Sequence, residues 1–177
     1  MVKLLLFIKH NLKPVWSMID WVNGVFYSIL YEKKQQEALN QVLNKTNPGK
    51  FIFRELTKDD IHSLHALINN QLPVDLIYFK PHGFELKSLE KQYSKSSFLM
   101  IGVFQGDRIV GYFFLRFFFN RKCFVGRLID KDFRGKGIGD EMNRIMYETA
   151  WRMKFRCLST ISKYNKSVML AHSRNQM

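Results

Sequence analysis

IDKDFRGKGIG, residues 129–139, is the stretch that most restricts what this chain can be. Its glycines, at positions 135, 137 and 139, let the backbone approach a ligand closely and turn N–H groups toward it. Arg134 and Lys136 add positive charge, and a helix predicted to begin near Gly139 adds the positive end of its dipole. Residues 134–139, the glycine loop, therefore predict a binding site for a diphosphate.

The spacing of these glycines excludes two common nucleotide sites. A P-loop requires GxxxxGK followed by Ser or Thr, which this stretch lacks. The dinucleotide fingerprint requires GxGxxG, whereas the glycines here are spaced GxGxG with Arg134 in front.

Strands and helices are predicted around the glycine loop. They comprise strands at 51–56, 98–104, 109–119, 123–129 and 157–161, and helices after Thr57 to about Asn70, at 88–93, 140–153 and 166–174. Phenylalanines at 113, 114, 117, 118 and 119 fill both faces of one strand, which indicates a sheet covered on both sides. We therefore predict an α/β (α+β) chain with a mixed, central antiparallel-rich sheet, helices on both faces and N-terminal helices in front.

RGKGIG resembles the pyrophosphate-binding signature of the GNAT superfamily of acyl-CoA-dependent N-acyltransferases, R/Q-x-x-G-x-G/A. Arg134, Gly137 and Gly139 hold the signature positions, and the order of elements agrees from about residue 51 onward. The resemblance implies acetyl-CoA, or another acyl-CoA, as co-substrate, with no metal. It implies a coenzyme site made of Leu128, Ile129, Arg134, Gly135, Lys136, Gly137, Ile138, Gly139 and Asn165.

The same resemblance implies the course of the reaction. The strand ending at Ile129 and the next strand would splay apart around the pantetheine arm, which would bond to backbone at Leu128 and Ile129. A backbone N–H there would polarise the thioester carbonyl. An amine would attack the acyl carbon directly, with a base to deprotonate it and an acid for the leaving thiolate.

The candidate acid lies near the C-terminus. Asn165 stands where many family members place an Asn on the pantetheine arm, and His172 stands where they most often have the Tyr that protonates the thiolate. The pattern is similar to N-x-x-S-x-x-x-H, found in a subgroup that acylates amino sugars and related metabolites, although Val168 departs from it. The alternative for His172 is an imidazole on a helix surface.

The general base is not evident, because the strand before the glycine loop has no carboxylate where family members often carry a Glu. His82 and Glu85, in a loop predicted over residues 72–85, are the candidates, and Asp130 is a weaker choice. A water chain, or an amine that arrives neutral, would remove the need for a single base. Arg127 is expected to point into the acceptor cleft, where it would favour an acidic acceptor.

Three segments are predicted: an N-terminal helical extension at 1–45, a linker at 46–50 and a GNAT-like acyltransferase domain at 51–177. From the resemblance we expect the C-terminal hairpin with which family members complete the sheet to be missing, since Met177 stands about where its first strand would begin. A truncated chain, strands from another subunit, or cover by the N-terminal helices are the alternatives.

The N-terminal extension has two interpretations. Its first apolar run is too short for a signal peptide, and residues 15–31 fall short of a bilayer span. One or two amphipathic helices, broken at Pro14, would pack on the domain or on a second copy. Alternatively, residues 1–31 would lie on an anionic membrane. In that case the interfacial side chains would be Trp16, Trp21, Lys3, Lys9 and Lys13.

Composition excludes a disordered or collagen-like chain, because 46 % of the 177 residues are apolar and 24 % charged. The net charge of +13 implies an anionic partner. No nucleic-acid motif accompanies that charge, so nucleic acid is disfavoured. The two cysteines, Cys123 and Cys157, form no CxxC pair, which favours reduced thiols in a cytoplasmic protein.

We therefore predict an N-acyltransferase, with acetyl-CoA the expected donor and a small-molecule amine, such as an amino sugar, the acceptor. The alternative is a GNAT-fold module that binds coenzyme A with weak turnover or none. Whether the chain forms a homo-oligomer is left open by the sequence.

Overall fold

A computed structural model gives the architecture and describes residues 13–46, 49–77 and 79–159. The elements in chain order are α1 (Lys13–Leu43), β1 (Ile52–Glu55), α2 (Asp60–Asn69), α3 (Pro73–Leu76), α4 (Leu86–Tyr93), β2 (Phe98–Gln105), β3 (Arg108–Phe118), β4 (Lys122–Ile129), a 3-10 turn (Lys131–Phe133), α5 (Ile138–Arg152) and β5 (Arg156–Leu158). Asn165 and His172 lie outside the described residues, as do Lys3, Lys9 and the side chains of Lys13 and Trp16.

The five strands form one sheet in the order β1-β2-β3-β4-β5. The first three pairings are antiparallel and the last, β4 with β5, is parallel. In the centre of the sheet Phe113 lies between Ile101 on β2 and Arg127 on β4. The predicted mixed, antiparallel-rich sheet is confirmed.

A separate hydrophobic core covers each face of the sheet, because alternate residues of a strand point to opposite faces. On one face Phe113 and Phe117 pack with residues of α1 and α5, including Leu39 and Met142. On the other face Tyr112 and Phe114 pack with residues of α2 and α4, including Leu64 and Leu89. These two cores explain why β3 is apolar on both sides.

The N-terminal extension packs on the sheet as a single helix over its described length. Tyr27, Leu39 and Val42 are buried in the same core as α5. Asn23 anchors the helix to the end of β3: its Nδ2 donates to the Phe117 carbonyl at 3.1 Å, and its Oδ1 accepts from the Phe119 N–H at 3.0 Å. Within the described residues, no helix has both the length and the apolar character to cross a membrane.

Threonine is a preferred N-cap residue, so the sequence predicts that Thr57 caps α2, but the structure differs. The helix begins at Asp60, and the Asp60 carboxylate accepts from both the backbone N–H and the hydroxyl of Thr57 at 2.7 Å. Arg54 binds the same carboxylate through two nitrogens and holds the pKa of Asp60 well below its ordinary value. The acidic side chain, tied back to β1, closes the turn in place of a threonine cap.

Candidate functional site

The glycine loop has the conformation that the glycines predict at two of its three positions. Gly135 and Gly137 have φ of +73° and +78°, in the left-handed region that side chains rarely adopt. A Cβ at either position would meet nothing within 4 Å, so backbone conformation and not crowding requires glycine. Gly137 directly precedes α5 and offers no side-chain cap. The N–H groups of the first turn of α5 therefore form a place for an anion.

Asp130 fixes the chain where β4 enters the loop. One of its oxygens accepts from Arg108 at 2.7 Å, and the other accepts from the Asp132 N–H at 3.1 Å. The Asp130 side chain is buried, and the backbone N–H of Asp130 donates to the Val110 carbonyl. Both carboxylate oxygens are thus engaged in shaping the loop, which argues against the weaker prediction that Asp130 is the base.

The two cations of the loop are held by neighbouring protein groups. Arg134 reaches Asp75 on α3 through two nitrogens, at 3.1 and 2.9 Å, and lowers the pKa of that carboxyl. Lys136 donates to the Asp132 carbonyl at 2.7 Å and lies 4.4 Å from the centre of the Phe133 ring. Arg134 therefore links the loop to the segment after α2, a contact between residues far apart in the chain.

Arg127 lies on the face of the sheet opposite to the candidate base His82, so the expectation that it points into an acceptor cleft with that base is wrong. It pairs with Phe113 on the α5 face of the sheet, and its guanidinium donates to the carbonyl of Gly139. Burial lowers the pKa of Arg127. The third glycine is explained by this contact, since a Cβ at Gly139 would lie 3.3 Å from the guanidinium. Arg127 thus adds a positive charge beneath the first turn of α5.

A basic cleft of about 460 Å³ opens beside the loop, between the end of α1, the start of β1 and the first turns of α5. Lys45, Lys50, Lys136 and Arg144 line it with Phe51, Phe53 and Gly137. Arg144 is bound to Glu141 and Glu148, so part of the charge is neutralised. A phosphate on the loop would border a region of positive potential.

Within the described residues, β5 pairs only with the first part of β4, the strand predicted to hold the pantetheine arm. The described pairing of β4 with β5 covers Lys122–Phe124 against Arg156–Leu158, well before β4 ends at Ile129. The backbone of Leu128 and Ile129 is paired with β3 on the other side, and the Ile129 carbonyl lies 3.4 Å from Nε of Arg134. Whether β5 and β4 splay around a ligand depends on residues beyond 159, outside the described part.

His82 lies in an aromatic cluster on the α2 and α4 face of the sheet. Its Nδ1 is 2.7 Å from the Gly83 carbonyl, and its Nε2 is 3.1 Å from the Tyr112 hydroxyl. Because a carbonyl only accepts, Nδ1 carries the proton and Nε2 accepts from Tyr112. Burial lowers the pKa of His82 and raises that of Tyr112, so the imidazole stays neutral and the phenol protonated.

Glu85, the other candidate base, is exposed at the start of α4. The backbone carbonyl of Glu85 accepts the first hydrogen bonds of that helix, from the N–H groups of Ser88 and Leu89. Its own backbone N–H and the Ser88 hydroxyl lower the pKa of the carboxyl. A weaker base in an exposed position suits proton abstraction less well than His82 does.

The sequence does not identify three residues that shape the site: Gly126, Tyr112 and Asp75. Gly126 faces the His82 side of β4, where a Cβ would come within 2.6 Å of the Phe114 ring. Phe114 in turn lies 6.4 Å from the His82 ring, between centres. Tyr112 and Asp75, the partners of His82 and Arg134, carry no motif. Only their position in the folded chain marks them as partners of site residues, and one sequence does not give that position.

At the level of sequence, no protein-family model and no curated protein matches the chain. Solved structures do resemble it. A GNAT-family acetyltransferase from Streptococcus pneumoniae is 16 % identical, with a TM-score of 0.55 over 71 % of this chain and 83 % of that one. AAC(6')-Iy, in complex with the bisubstrate analog CoA-S-monomethyl-acetylneamine, is 13 % identical, with a TM-score of 0.56 over 71 % of this chain and 89 % of that one. An aminoglycoside acetyltransferase from an uncultured soil metagenomic sample, in complex with trehalose, is 13 % identical, with a TM-score of 0.58 over 75 % of this chain and 91 % of that one.

The chain has the GNAT fold. This confirms the predicted fold class, with its mixed sheet and its helices on both faces. At identities this low the likeness is one of fold, and fold alone does not assign chemistry. The diphosphate role of the glycine loop and the roles of Asn165, His172, His82 and Glu85 therefore stay predictions on a GNAT scaffold. In the described part of the chain, no three or more His, Cys, Asp or Glu side chains are grouped as metal ligands would be.

Proposed function

We propose that this chain is an acyl-CoA-dependent N-acyltransferase, with acetyl-CoA as its donor and the glycine loop as the site of the coenzyme diphosphate. The observation that carries the proposal is the pair of left-handed glycines, Gly135 and Gly137, placed directly before α5 on a GNAT fold. We assign the acyltransferase domain to residues 51–177, with 1–45 as an N-terminal extension and 46–50 as a linker.

The residues around the loop fit a diphosphate. The surface above Gly135 and Gly137 is open, and Arg127 places a cation beneath the N–H groups of the first helical turn. The basic cleft begins at Lys136 and Gly137, so a further phosphate on the adenosine end would lie among lysines. These features support a ligand with several phosphates, as coenzyme A has.

For the chemistry, we propose His82 as the base and His172 as the acid, with Glu85 as the second candidate base. The C–N bond forms as the C–S bond breaks, the base takes a proton from the attacking amine, and the acid gives one to the departing sulfur. Neutral His82 holds a lone pair on Nε2, but Tyr112 occupies it. Nε2 must therefore exchange the phenol for the amine, or for a water between them, before it accepts a proton.

We propose a small-molecule amine as acceptor and place amino sugars, including nucleotide-linked ones, first in the screen. The net charge of +13 suits an acceptor that is itself anionic. The solved structures that resemble this fold include an aminoglycoside acetyltransferase, which prompts the same choice without deciding it.

One observation favours the alternative, a module that binds coenzyme A without turnover. Gly126 stands on the stretch of β4 where family members often carry a Glu, and Phe114 fills the space beside it. A carboxylate base from β4 is therefore absent within the described residues. On this alternative the glycine loop keeps its ligand, and the aromatic cluster around His82 is purely structural.

Calorimetric titration of the full chain with acetyl-CoA, followed by turnover with the amine panel, tests the proposal. We expect a dissociation constant in the micromolar range. Acetyl-pantetheine, which lacks the diphosphate, should bind at least about tenfold more weakly, since it makes no contact with the loop. Equal binding of the two ligands would remove the loop from the site. Binding without turnover would establish the alternative.

Replacing Asp75 with Asn should tighten binding of acetyl-CoA. Asp75 neutralises Arg134 in the free protein, so a diphosphate competes with it for the guanidinium. Exposed ion pairs contribute about 0–1 kcal/mol, which corresponds to a gain of up to about fivefold in the association constant. Asp59→Asn, at the start of α2, is the control and should change nothing. Weaker binding by the Asp75 variant would show that the ion pair holds the loop in its binding conformation.

The pH dependence of turnover tests His82. Because burial lowers its pKa, His82 is a base that is lost only as pH falls through a value below 6.5. We expect kcat/KM to have an acid limb with its midpoint below pH 6.5, absent in His82→Gln, with kcat reduced about a hundredfold or more. Tyr112→Phe keeps the imidazole and should keep the acid limb. A His82→Gln enzyme with an unchanged pH profile would assign His82 a structural role.

A further inference from the structure

The first half of α1 exposes a continuous series of large apolar side chains. They are Val15, Met18, Ile19, Trp21, Val25, Phe26, Ile29 and Leu30, named here the outer stripe. Ile29 is 77 % exposed and Trp21 68 %. Spacing of three and four residues places most of the stripe on one side of the helix. Isolated exposed apolar residues are ordinary, but a stripe of this length marks a binding surface.

The opposite side of the same helix packs against the domain. Asn23 and Tyr27 are buried against β3. Asp20, the single acidic residue in this half of the helix, is bound by Lys95 and Arg116 of the domain. The stripe therefore keeps its orientation relative to the domain and carries no acidic group of its own.

Exposed cations lie next to the C-terminal part of the outer stripe. Lys33 and Lys34 continue the helix one turn beyond Ile29 and Leu30. At the tip of the β3–β4 hairpin, Arg121 and Lys122 are exposed next to Phe119, whose ring centre lies 6.0 Å from that of Phe26. The hairpin tip thus extends the apolar surface of the helix and borders it with positive charge.

We propose that the outer stripe docks on the surface of an anionic lipid bilayer. A helix with apolar and aromatic side chains on one side, flanked by lysine and arginine, lies in the interface with its apolar face among the acyl chains. The basic residues beside the stripe, on the helix and at the hairpin tip, would contact anionic headgroups. Charge favours an anionic bilayer over a second copy of the chain as the partner. Each copy carries a net charge of +13, so two copies repel each other.

Flotation of the full chain with lipid vesicles tests the proposal. We expect the protein to float with vesicles of phosphatidylcholine and phosphatidylglycerol, at least about tenfold more than with phosphatidylcholine alone, and less at raised salt. The variant Phe26→Gln/Ile29→Gln should lose this binding. The matched control is Ile52→Gln/Trp151→Gln, which removes two equally exposed apolar side chains from β1 and α5. Its binding should equal that of the wild type.

Removing positive charge beside the stripe gives a second test of the proposal. Lys33→Gln/Lys34→Gln should weaken binding to the anionic vesicles about fivefold per lysine and leave binding to neutral vesicles unchanged. Thermal unfolding of every variant establishes that each is folded. No flotation of the wild type, or equal loss in the Ile52/Trp151 control, overturns the proposal. So does a dimer in sedimentation that Phe26→Gln/Ile29→Gln dissociates, since the stripe would then bind a second copy.

Discussion

Substituting Gly137 with valine is expected to abolish binding of acetyl-CoA, with the association constant falling about a hundredfold or more. The position has φ of +78°, and a β-branched residue held there costs about 1–3 kcal/mol of backbone strain. The chain escapes that strain by rotating residue 137 out of the left-handed region. The N–H groups at the start of α5 then no longer point to one place, and a hundredfold loss corresponds to about 2.8 kcal/mol.

A second glycine with positive φ provides the control for this substitution. Gly106, in the turn between β2 and β3, has φ of +57°, and a Cβ there also meets nothing within 4 Å. Gly106→Val therefore suffers similar strain with no steric clash, in a turn outside the glycine loop. It should lose comparable stability in thermal unfolding yet bind acetyl-CoA as the wild type does. Equal loss of binding in both variants would attribute the effect to general destabilisation and remove the loop from the site.

Local chemistry explains why the sheet and the glycine loop were predictable. The apolar run of β3 has phenylalanines on both faces, a pattern typical of a strand that is covered on both sides. The left-handed conformations of Gly135 and Gly137 follow from a residue type that tolerates them. Both inferences need only residues that are neighbours in the sequence.

The errors concern which residues meet in space. Side chains alternate along β4, so the sequence shows that Arg127 shares a face with Val125 but not which helix covers that face. The structure places α5 there, and Arg127 lies beneath the loop and not in the acceptor cleft. The sequence assigns Gly139 to close approach of a ligand, whereas in the structure its missing side chain makes room for this guanidinium.

Long-range ion pairs could not be inferred for the same reason. Asp75 and Arg134 are 59 residues apart, and Asp20 and Arg116 are 96 apart. Neither pair belongs to a motif, and a single sequence holds many acids and bases that could pair instead. On the proposed function, the partner of Arg134 matters, because a diphosphate would have to displace Asp75.

The attachment of α1 to the sheet leads to a prediction on stability: Phe117→Ala should destabilise the protein by about 3–5 kcal/mol. Phe117 is fully buried, and its ring stacks on Tyr27 of α1 with centres 5.1 Å apart. The ring of Phe155 meets its edge at 5.2 Å. One aromatic ring thus joins the N-terminal helix, the central strand and the segment before β5. For a chain of this length the melting temperature should fall by about 6–20 °C.

Phe119→Ala is the matched control, because Phe119 follows two residues later, directly after the end of β3, and is 51 % exposed. It should change stability by no more than about 0.5 kcal/mol. The double variant Tyr27→Ala/Phe117→Ala measures the coupling between helix and sheet, which we expect at about 0.5–1.5 kcal/mol, typical of an aromatic pair. If the two substitutions are additive, the stacking does not stabilise the docked helix. In that case the buried side chains of Leu39 and Val42, with the Asn23 hydrogen bonds and the Asp20 ion pairs, would hold α1 and the outer stripe in place.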